Sequence, residues 1–359
     1  MIVLFLAYFG EGENGNQFGG AEKVFANLAN WISRNTGHHV IFASVGMDVL
    51  PYPLAAGIEY KHYDADLSSK VKTHISLIRN VRRVMKDFSP DRIISFSVHP
   101  LFYMLFSLKA RKTPIFFSIR NDPKLENSKI TRFMRFFVMN RAKGIVFQTK
   151  EAQDYFQKRI REKSVVIHNP VSVDISKYPL KETMDNRIVF VGRLNPQKNI
   201  GLLIQAFETI HEEYPELTLE IYGEGNLHRK LQDQIDGLGL TAYVKLMGAY
   251  SDVISRIYGA RMFVLPSLYE GMPNSLMEAM ALGIPVVSSD CPCGGPRELI
   301  QNGVNGFLFE NGSLDSIVDK MKRCLNFQDI SSLCNKEKEI GIDHSEKRIF
   351  AEWINFVVE

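Results

Sequence analysis

Cysteine is scarce: four in 359 residues. That excludes a disulfide scaffold. Cys291 and Cys293 form one C-x-C, and Cys324 and Cys334 stand apart, so no zinc pattern is completed. Small buried or loop thiols in a reducing cytoplasm are the expectation. Long apolar runs are also missing, and no stretch reaches the ~18 consecutive apolar residues of a membrane-spanning helix. The opening MIVLFLAYFG is apolar but short and has no basic flank, so it reads as a buried strand rather than a signal peptide. No nucleic-acid recognition motif is present. No metal site and no Asp-x-Asp metal motif are expected, and the glycines of GEGENGNQFGG are read as off the G-x-G-x-x-G spacing, which disfavours a nicotinamide cofactor.

What is present is ordinary for a globular protein: 45% hydrophobic and 23% charged residues. Collagen, coiled coil and wholesale disorder are thereby excluded. At ~100–200 residues per domain, the length suggests two domains. The net charge of +3 is unevenly spread, with +11 on residues 1–180 and −8 on residues 181–359. A basic half on a nearly neutral chain points to an anionic partner. The densest basic stretches are Lys70 to Lys86 and Lys124 to Lys143. In the second, Phe133, Phe136 and Phe137 interleave with Arg132 and Arg135. That fits an amphipathic helix lying on an anionic lipid surface, or a core-facing helix with a basic rim.

Short apolar runs alternate with helical periodicity. In the first half, IVLFLAYF, HHVIFASV, RIISFSV, PIFFSI, GIVFQT and SVVIHN read as strands. AEKVFANLANWISRN and HISLIRNVRRVMKDF read as helices between them. The stretch from HNPVSV through DISKYPLKETMDN, with Pro170 and Pro179, reads as an interdomain linker. The cycle then restarts, with RIVFVGRL, LTLEIYG, YVKLMG, MFVLPS and IPVVSSD as strands separated by helices. The expected fold is α/β: two doubly wound, Rossmann-like domains facing a central cleft. The first spans residues 1–170 and the second 171–344. A terminal helix, 345–359, crosses back onto the first domain.

In open α/β sheets, ligands bind at the carboxyl ends of the strands, so the chemistry belongs on post-strand loops. Gly19 and Gly20 end the first such loop and open a helix, where backbone amides can approach a phosphate. Gly192 and Arg193 follow RIVFV, and Lys198 comes five residues after Arg193. Two cations on one loop can clamp a diphosphate without a metal, or simply be surface charges. Glu270 follows MFVLPS directly. Asn274 is the expected N-cap of the next helix, with Glu278 in its first turn. Amides of Ser275 and Leu276 would suit a phosphate, and the two carboxylates would suit sugar hydroxyls. His99 and Arg120 also follow strands. His99 is a cleft residue or a structural loop histidine. Arg120 meets an acceptor phosphate or pairs with Asp122.

Taken together, G-R-x₄-K followed by E-G-x-P-x₄-E-A resembles the GT-B glycosyltransferases of the large retaining family 4. The resemblance covers nearly the whole chain and is strongest over residues 186–310. Gly-Gly-x-Glu, the His of SVHPL and CPCGGPREL also fit, although Gly294-Gly295 carries one glycine more than the related pattern. The resemblance implies that Arg193 and Lys198 bind the donor diphosphate and that Glu278 holds the donor ribose. It places Glu270 against the transferred sugar, with backbone of Met272, Pro273, Asn274, Ser275 and Leu276 along sugar and distal phosphate. Gly19 and Gly20 approach the reacting centre, Gly223 and Met247 flank the base, and His99 reaches the sugar and acceptor side.

The expected activity is metal-independent, retaining transfer of a hexose or N-acetylhexosamine from a nucleotide sugar, UDP-linked, to a growing surface glycan on a polyprenyl diphosphate. The nucleotide sugar is a co-substrate, and no cofactor is expected. The basic first half would hold the enzyme peripherally at the inner face of the cell membrane. Alternatives are a nucleotide-sugar epimerase or phosphorylase, or a non-catalytic glycan or lipid binder on the same fold.

Overall fold

The computed structural model describes residues 1–9, 19–50, 52–107, 112–125, 128–181 and 183–358. The chain divides into two compact units, Met1–His168 with Ile349–Glu359, and Asn169–Arg348.

Unit 1 is built on seven parallel strands: β1 (Ile2–Phe9), β2 (His39–Gly46), β3 (Glu59–Asp64), β4 (Arg92–Ser95), β5 (Ile115–Ile119), β6 (Gly144–Phe147) and β7 (Ser164–Val166). Their order is β3-β2-β1-β4-β5-β6-β7. The central strands are near-continuous apolar runs because helices cover both faces of a parallel sheet. Phe5, Phe25, Phe42 and Phe116 fill this core, and Phe5 lies 5.0 Å from Phe25 ring to ring. The helix Glu346–Val358 contributes Ile349, Phe350, Trp353 and Val357 to it. Arg92 Nε donates to Val357 O at 3.1 Å and anchors the end of that helix.

Unit 2 has six parallel strands: β8 (Arg187–Val191), β9 (Thr218–Tyr222), β10 (Val244–Gly248), β11 (Met262–Leu265), β12 (Val286–Asp290) and β13 (Phe307–Glu310). They are ordered β10-β9-β8-β11-β12-β13. Strand order reverses between β8 and β11 here, and between β1 and β4 in unit 1. The loops after those four strands are therefore the natural ligand positions.

Several elements differ from the sequence expectation. The strands β3 and β13 are additional, as are the helices Val98–Met104, Leu314–Leu325 and Ile330–Asp343. β3 reads EYKHYD, a half-exposed edge strand too polar to stand out. The helix expected over 124–143 runs only from Lys129 to Arg141. The expected linker is no loose tether. Val173, Ile175 and Tyr178 pack against the core of unit 2, and Val171 N donates to His344 O at 2.7 Å. Burial of those apolar side chains outweighs the turn signals of Pro170 and Pro179.

Candidate functional site

In unit 2 the post-strand loops are stitched together backbone to backbone. Gly192 N donates to Tyr222 O at 2.9 Å, Leu194 N to Glu224 O at 2.8 Å, and Gly223 N to Gly248 O at 2.8 Å. Gly223 has φ +138°, and a Cβ there would sit 1.9 Å from Gly192 O, so only glycine fits. Met247 is half-buried on the β10 side of the same junction.

The loop after β8 then turns back. Asn195 Oδ1 accepts the Lys198 amide at 3.3 Å and caps the single turn Pro196–Lys198. Gln197 ties this turn to the loop after β11: its carbonyl accepts Leu268 N at 2.8 Å, and its Nε2 donates to Tyr269 O at 2.9 Å. These bonds bring Lys198 Nζ to 2.5 Å from Glu270 Oε1. The two side chains are 11% and 8% exposed, which makes this a nearly buried ion pair. Arg193, by contrast, is exposed and has no side-chain partner among the described residues.

Glu270 is gripped from behind by the loop after β12. Its amide donates to Pro292 O at 2.7 Å, and its carbonyl accepts Cys293 N at 3.2 Å. The doubled glycine of CPCGGPREL now has a reason. Gly294 caps the helix Gly295–Leu299 with φ +81°. Gly295 packs on Gly271, where a Cβ would sit 1.7 Å from the Gly271 carbonyl oxygen. Below the pair, burial pushes the Cys291 thiol up to about 12, and the Glu270 charge adds to the shift.

The helix Asn274–Ala281 starts at Asn274. Asn274 is therefore its first residue and Pro273 its N-cap, which corrects the expected cap. Glu278 consequently lies beyond the first turn, half-buried. The Asn274 side chain turns to Asn169, whose Nδ2 lies 2.6 Å from Asn274 Oδ1 and 3.0 Å from Met272 O. The amides of Ser275 and Leu276 precede any intrahelical acceptor and remain available donors. Pro273 has no N–H to offer. The side chains of Met272 and Leu276 belong to the hydrophobic core, so these residues can contribute only backbone.

In unit 1, Gly19 is the N-cap of the helix Gly20–Asn35, and its amide already donates to Glu22 Oε2 at 3.0 Å. Gly19 is thus not a vacant phosphate donor. The rest of the glycine-rich loop lies outside the described residues. His99 sits in the helix Val98–Met104 after β4, with its ring 5.4 Å from that of Tyr8. Arg120 and Asp122 form no ion pair. Asp122 Oδ1 accepts the Lys124 amide at 2.9 Å, while the Arg120 guanidinium lies 4.4 Å from the Phe96 ring centroid. Burial pulls the Arg120 pKa down to about 9, opposed by the nearby Glu22 carboxylate. Arg120 and Glu22 line a cavity of about 90 Å³ with Tyr8, Tyr52 and Ser97. This cavity is at the strand-order reversal of unit 1.

Two spacings in the chain run against the expectations. Asp64-Ala65-Asp66 is an Asp-x-Asp at the end of β3. Asp64 Oδ1 lies 3.0 Å from His62 Nε2, and Asp66 Oδ1 accepts the Ser68 amide at 3.0 Å. Among the described residues, no group of three His, Cys, Asp or Glu side chains is placed to hold a metal. Gly10, Gly12 and Gly15 have G-x-G-x-x-G spacing. The helix opens only at Gly20, whereas a dinucleotide fingerprint opens the helix itself.

Sequence reasoning missed Asn169, Gln197, Tyr8 and the gripping role of Pro292 and Cys293. Asn169 stands in the stretch taken for a linker, and no local pattern marks it.

Residues 173–341 match the family described as Glycosyl transferases group 1, and residues 18–175 match Glycosyltransferase Family 4. An uncharacterized glycosyltransferase of Methanocaldococcus jannaschii is 30% identical over 61% of this chain and 60% of its own length. The matched segment thus spans less than two thirds of that relative. The lipopolysaccharide 1,6-galactosyltransferase of Salmonella typhimurium is 28% identical, over 89% of each chain. Among solved structures, Anabaena HepE in complex with UDP superposes with a TM-score of 0.78 at 20% identity, covering 99% of both chains. The two Rossmann-like units are those of a GT-B fold. With both halves matched and the motif residues gathered at the strand-order reversal of unit 2, the chain belongs to the group 1 glycosyl transferases, with a family 4 N-terminal half.

Proposed function

We propose that the chain transfers a hexose or N-acetylhexosamine from a UDP-sugar to a hydroxyl of a surface glycan carried on a polyprenyl diphosphate. The reaction retains anomeric configuration and uses no metal. The observation that carries this reading is the Lys198–Glu270 pair, set beside Arg193 and the free amides of Ser275 and Leu276. Breaking a sugar–diphosphate bond leaves negative charge on the distal phosphate, and preorganised cations and amides stabilise it. Lys198, Arg193 and the helix start supply that positive field. Glu278 takes the ribose and Glu270 the sugar hydroxyls. Backbone at Gly192, Gly223 and Met247 borders the base and diphosphate.

For retention, the acceptor hydroxyl attacks from the face the diphosphate leaves, and the departing phosphate oxygen takes its proton. Glu270 as a nucleophile fits less well, because a carboxylate already paired with an ammonium at 2.5 Å has its charge engaged. Glu270 then orients the sugar and holds Lys198. On the acceptor side, His99 and the cavity with Arg120 supply the groups. The UDP in the Anabaena structure and the lipopolysaccharide substrate of the Salmonella relative support the donor and acceptor classes. The reaction belongs at the inner face of the cell membrane, where such carriers are glycosylated.

A ligand that binds only the folded state raises the melting temperature by mass action. UDP and UDP-sugars are expected to raise it, GDP and ADP to do so less, and Glu278→Ala to lose the UDP shift. If no nucleotide shifts the wild type, the donor assignment fails and a non-catalytic binder takes its place.

A further inference from the structure

We propose that unit 1 docks on an anionic lipid bilayer through one continuous surface made by three helices, Lys70–Phe88, Val98–Met104 and Lys129–Arg141. This names the partner surface of the reaction proposed above and rests on that reading for its purpose.

The helix Lys129–Arg141 buries Met134, Val138 and Met139 and turns its largest apolar side chains outward. Ile130, Phe133 and Phe136 are 66%, 56% and 63% exposed. They do not stand alone. The Phe102 ring lies 6.2 Å from Phe133 and 5.6 Å from Phe106, and Phe133 lies 4.7 Å from Phe137. Arg82 Nη2 donates to Phe106 O at 3.2 Å and joins this aromatic cluster to the basic helix Lys70–Phe88. On that helix, Ile75 and Ile78 share one shallow groove with Arg79, Arg82, Arg83 and Lys86. Val71 and Ile75 are exposed.

A contiguous exposed apolar patch of this kind marks an interaction surface. The charges around it choose the occupant. Helix Lys129–Arg141 carries no carboxylate, and helix Lys70–Phe88 carries only Asp87. Arg79, Arg83, Lys86, Lys129 and Arg132 form no ion pair among the described residues. Nucleic acid would satisfy these cations but leave the aliphatic and aromatic side chains in water. A second copy docked through the same patch would set like charges against each other across a two-fold axis. A bilayer surface meets both demands: rings and aliphatic chains enter the headgroup–acyl boundary while Lys and Arg reach lipid phosphates. No helix among the described residues is long and apolar enough to cross the membrane.

The test is co-sedimentation of the full chain with phosphatidylglycerol–phosphatidylcholine vesicles and with pure phosphatidylcholine vesicles. Binding to the anionic vesicles is expected, weakened by added salt because the attraction is screened. The double variant Phe133→Ser, Phe136→Ser should bind roughly tenfold or more weakly, since two exposed rings no longer enter the bilayer. Its melting temperature and donor hydrolysis should stay at wild-type values. Arg79→Glu with Arg83→Glu should lose anionic preference. No binding to anionic vesicles, equal binding to neutral vesicles, or undiminished binding by the phenylalanine variant would each overturn the proposal. So would a dimer in size-exclusion chromatography that the phenylalanine variant dissolves. Vesicle binding is read without sugar transfer, so its failure leaves the donor-site reading standing. Failed donor turnover with intact vesicle binding counts against the transferase reading alone.

Discussion

Replacing Lys198 by alanine separates catalysis from folding at this site. The substitution leaves the Glu270 carboxylate, 8% exposed, without its cation. Removing one partner of a buried pair costs about 3–5 kcal/mol, and the residual exposure here points to the lower end, about 3 kcal/mol. At about 2–4 °C per kcal/mol for a unit of this size, the melting temperature should fall by roughly 6–12 °C. The same change removes a charge stabiliser from the departing diphosphate, which should lower kcat by roughly 10²–10³-fold, or about 2.7–4 kcal/mol. The two losses have different remedies. The double variant Lys198→Ala, Glu270→Gln has no orphaned charge, so its melting temperature should recover most of the loss while the rate stays low. Arg193→Ala is the complement. Its side chain is exposed and has no partner among the described residues, so stability should hold within about 0.5 kcal/mol while the rate falls by a similar factor. The assay is nucleoside-diphosphate release at saturating donor, read beside thermal melts. A Lys198→Ala rate within about threefold of wild type would refute the charge-stabilising role, as would parallel recovery of rate and stability in the double variant.

Two further outcomes follow from packing. Gly295→Ala places a methyl 1.7 Å from the Gly271 carbonyl oxygen, backbone that cannot swing away. It should cost about 1–3 kcal/mol in a denaturant melt and weaken donor affinity by displacing Glu270, whereas wild-type donor affinity would show the contact is idle. Glu337 is fully buried, its Oε1 accepts Val286 N at 3.0 Å, and burial raises its pKa well above the usual carboxylate range. The folded state therefore holds a proton that the unfolded state releases, so this residue's contribution is complete below its unfolded pKa and is lost as pH rises toward the folded one. Glu337→Gln should flatten that decline between acidic and neutral pH, and an unchanged stability–pH slope would argue against a protonated Glu337.

The donor half of the site was legible because its groups are short-range in sequence and sit where topology puts ligands. Arg193 and Lys198 share one loop, and Glu270 and Glu278 flank one loop–helix junction. Those two segments meet because strand order reverses between β8 and β11. What was not legible is the pairing itself. Nothing local says that Lys198 turns onto Glu270, because that depends on the Asn195 cap and the two Gln197 bonds. Asn274 likewise reads as a cap by residue type, yet Asn169 engages its side chain and Pro273 takes the cap position. The extra glycine at 294–295 looked like a departure from pattern. It is instead the only residue type that lets the loop after β12 lie against Gly271.

The basic half shows the limit of helical periodicity from the other direction. A pattern with Phe133, Met134, Phe136, Phe137 and Val138 invites burial of the aromatic residues, since they carry the most apolar area. The structure buries the smaller set, Met134, Val138 and Met139, because that face of the helix meets the sheet and its neighbours. The helix Val98–Met104, too short to show periodicity, then adds Phe102 to the outward cluster. Which stripe of an amphipathic helix faces inward is a tertiary decision. A helix that buries its minor stripe and exposes its major one has been left an apolar face for a second environment. The arginines and lysines around that face limit the environment to one rich in phosphate.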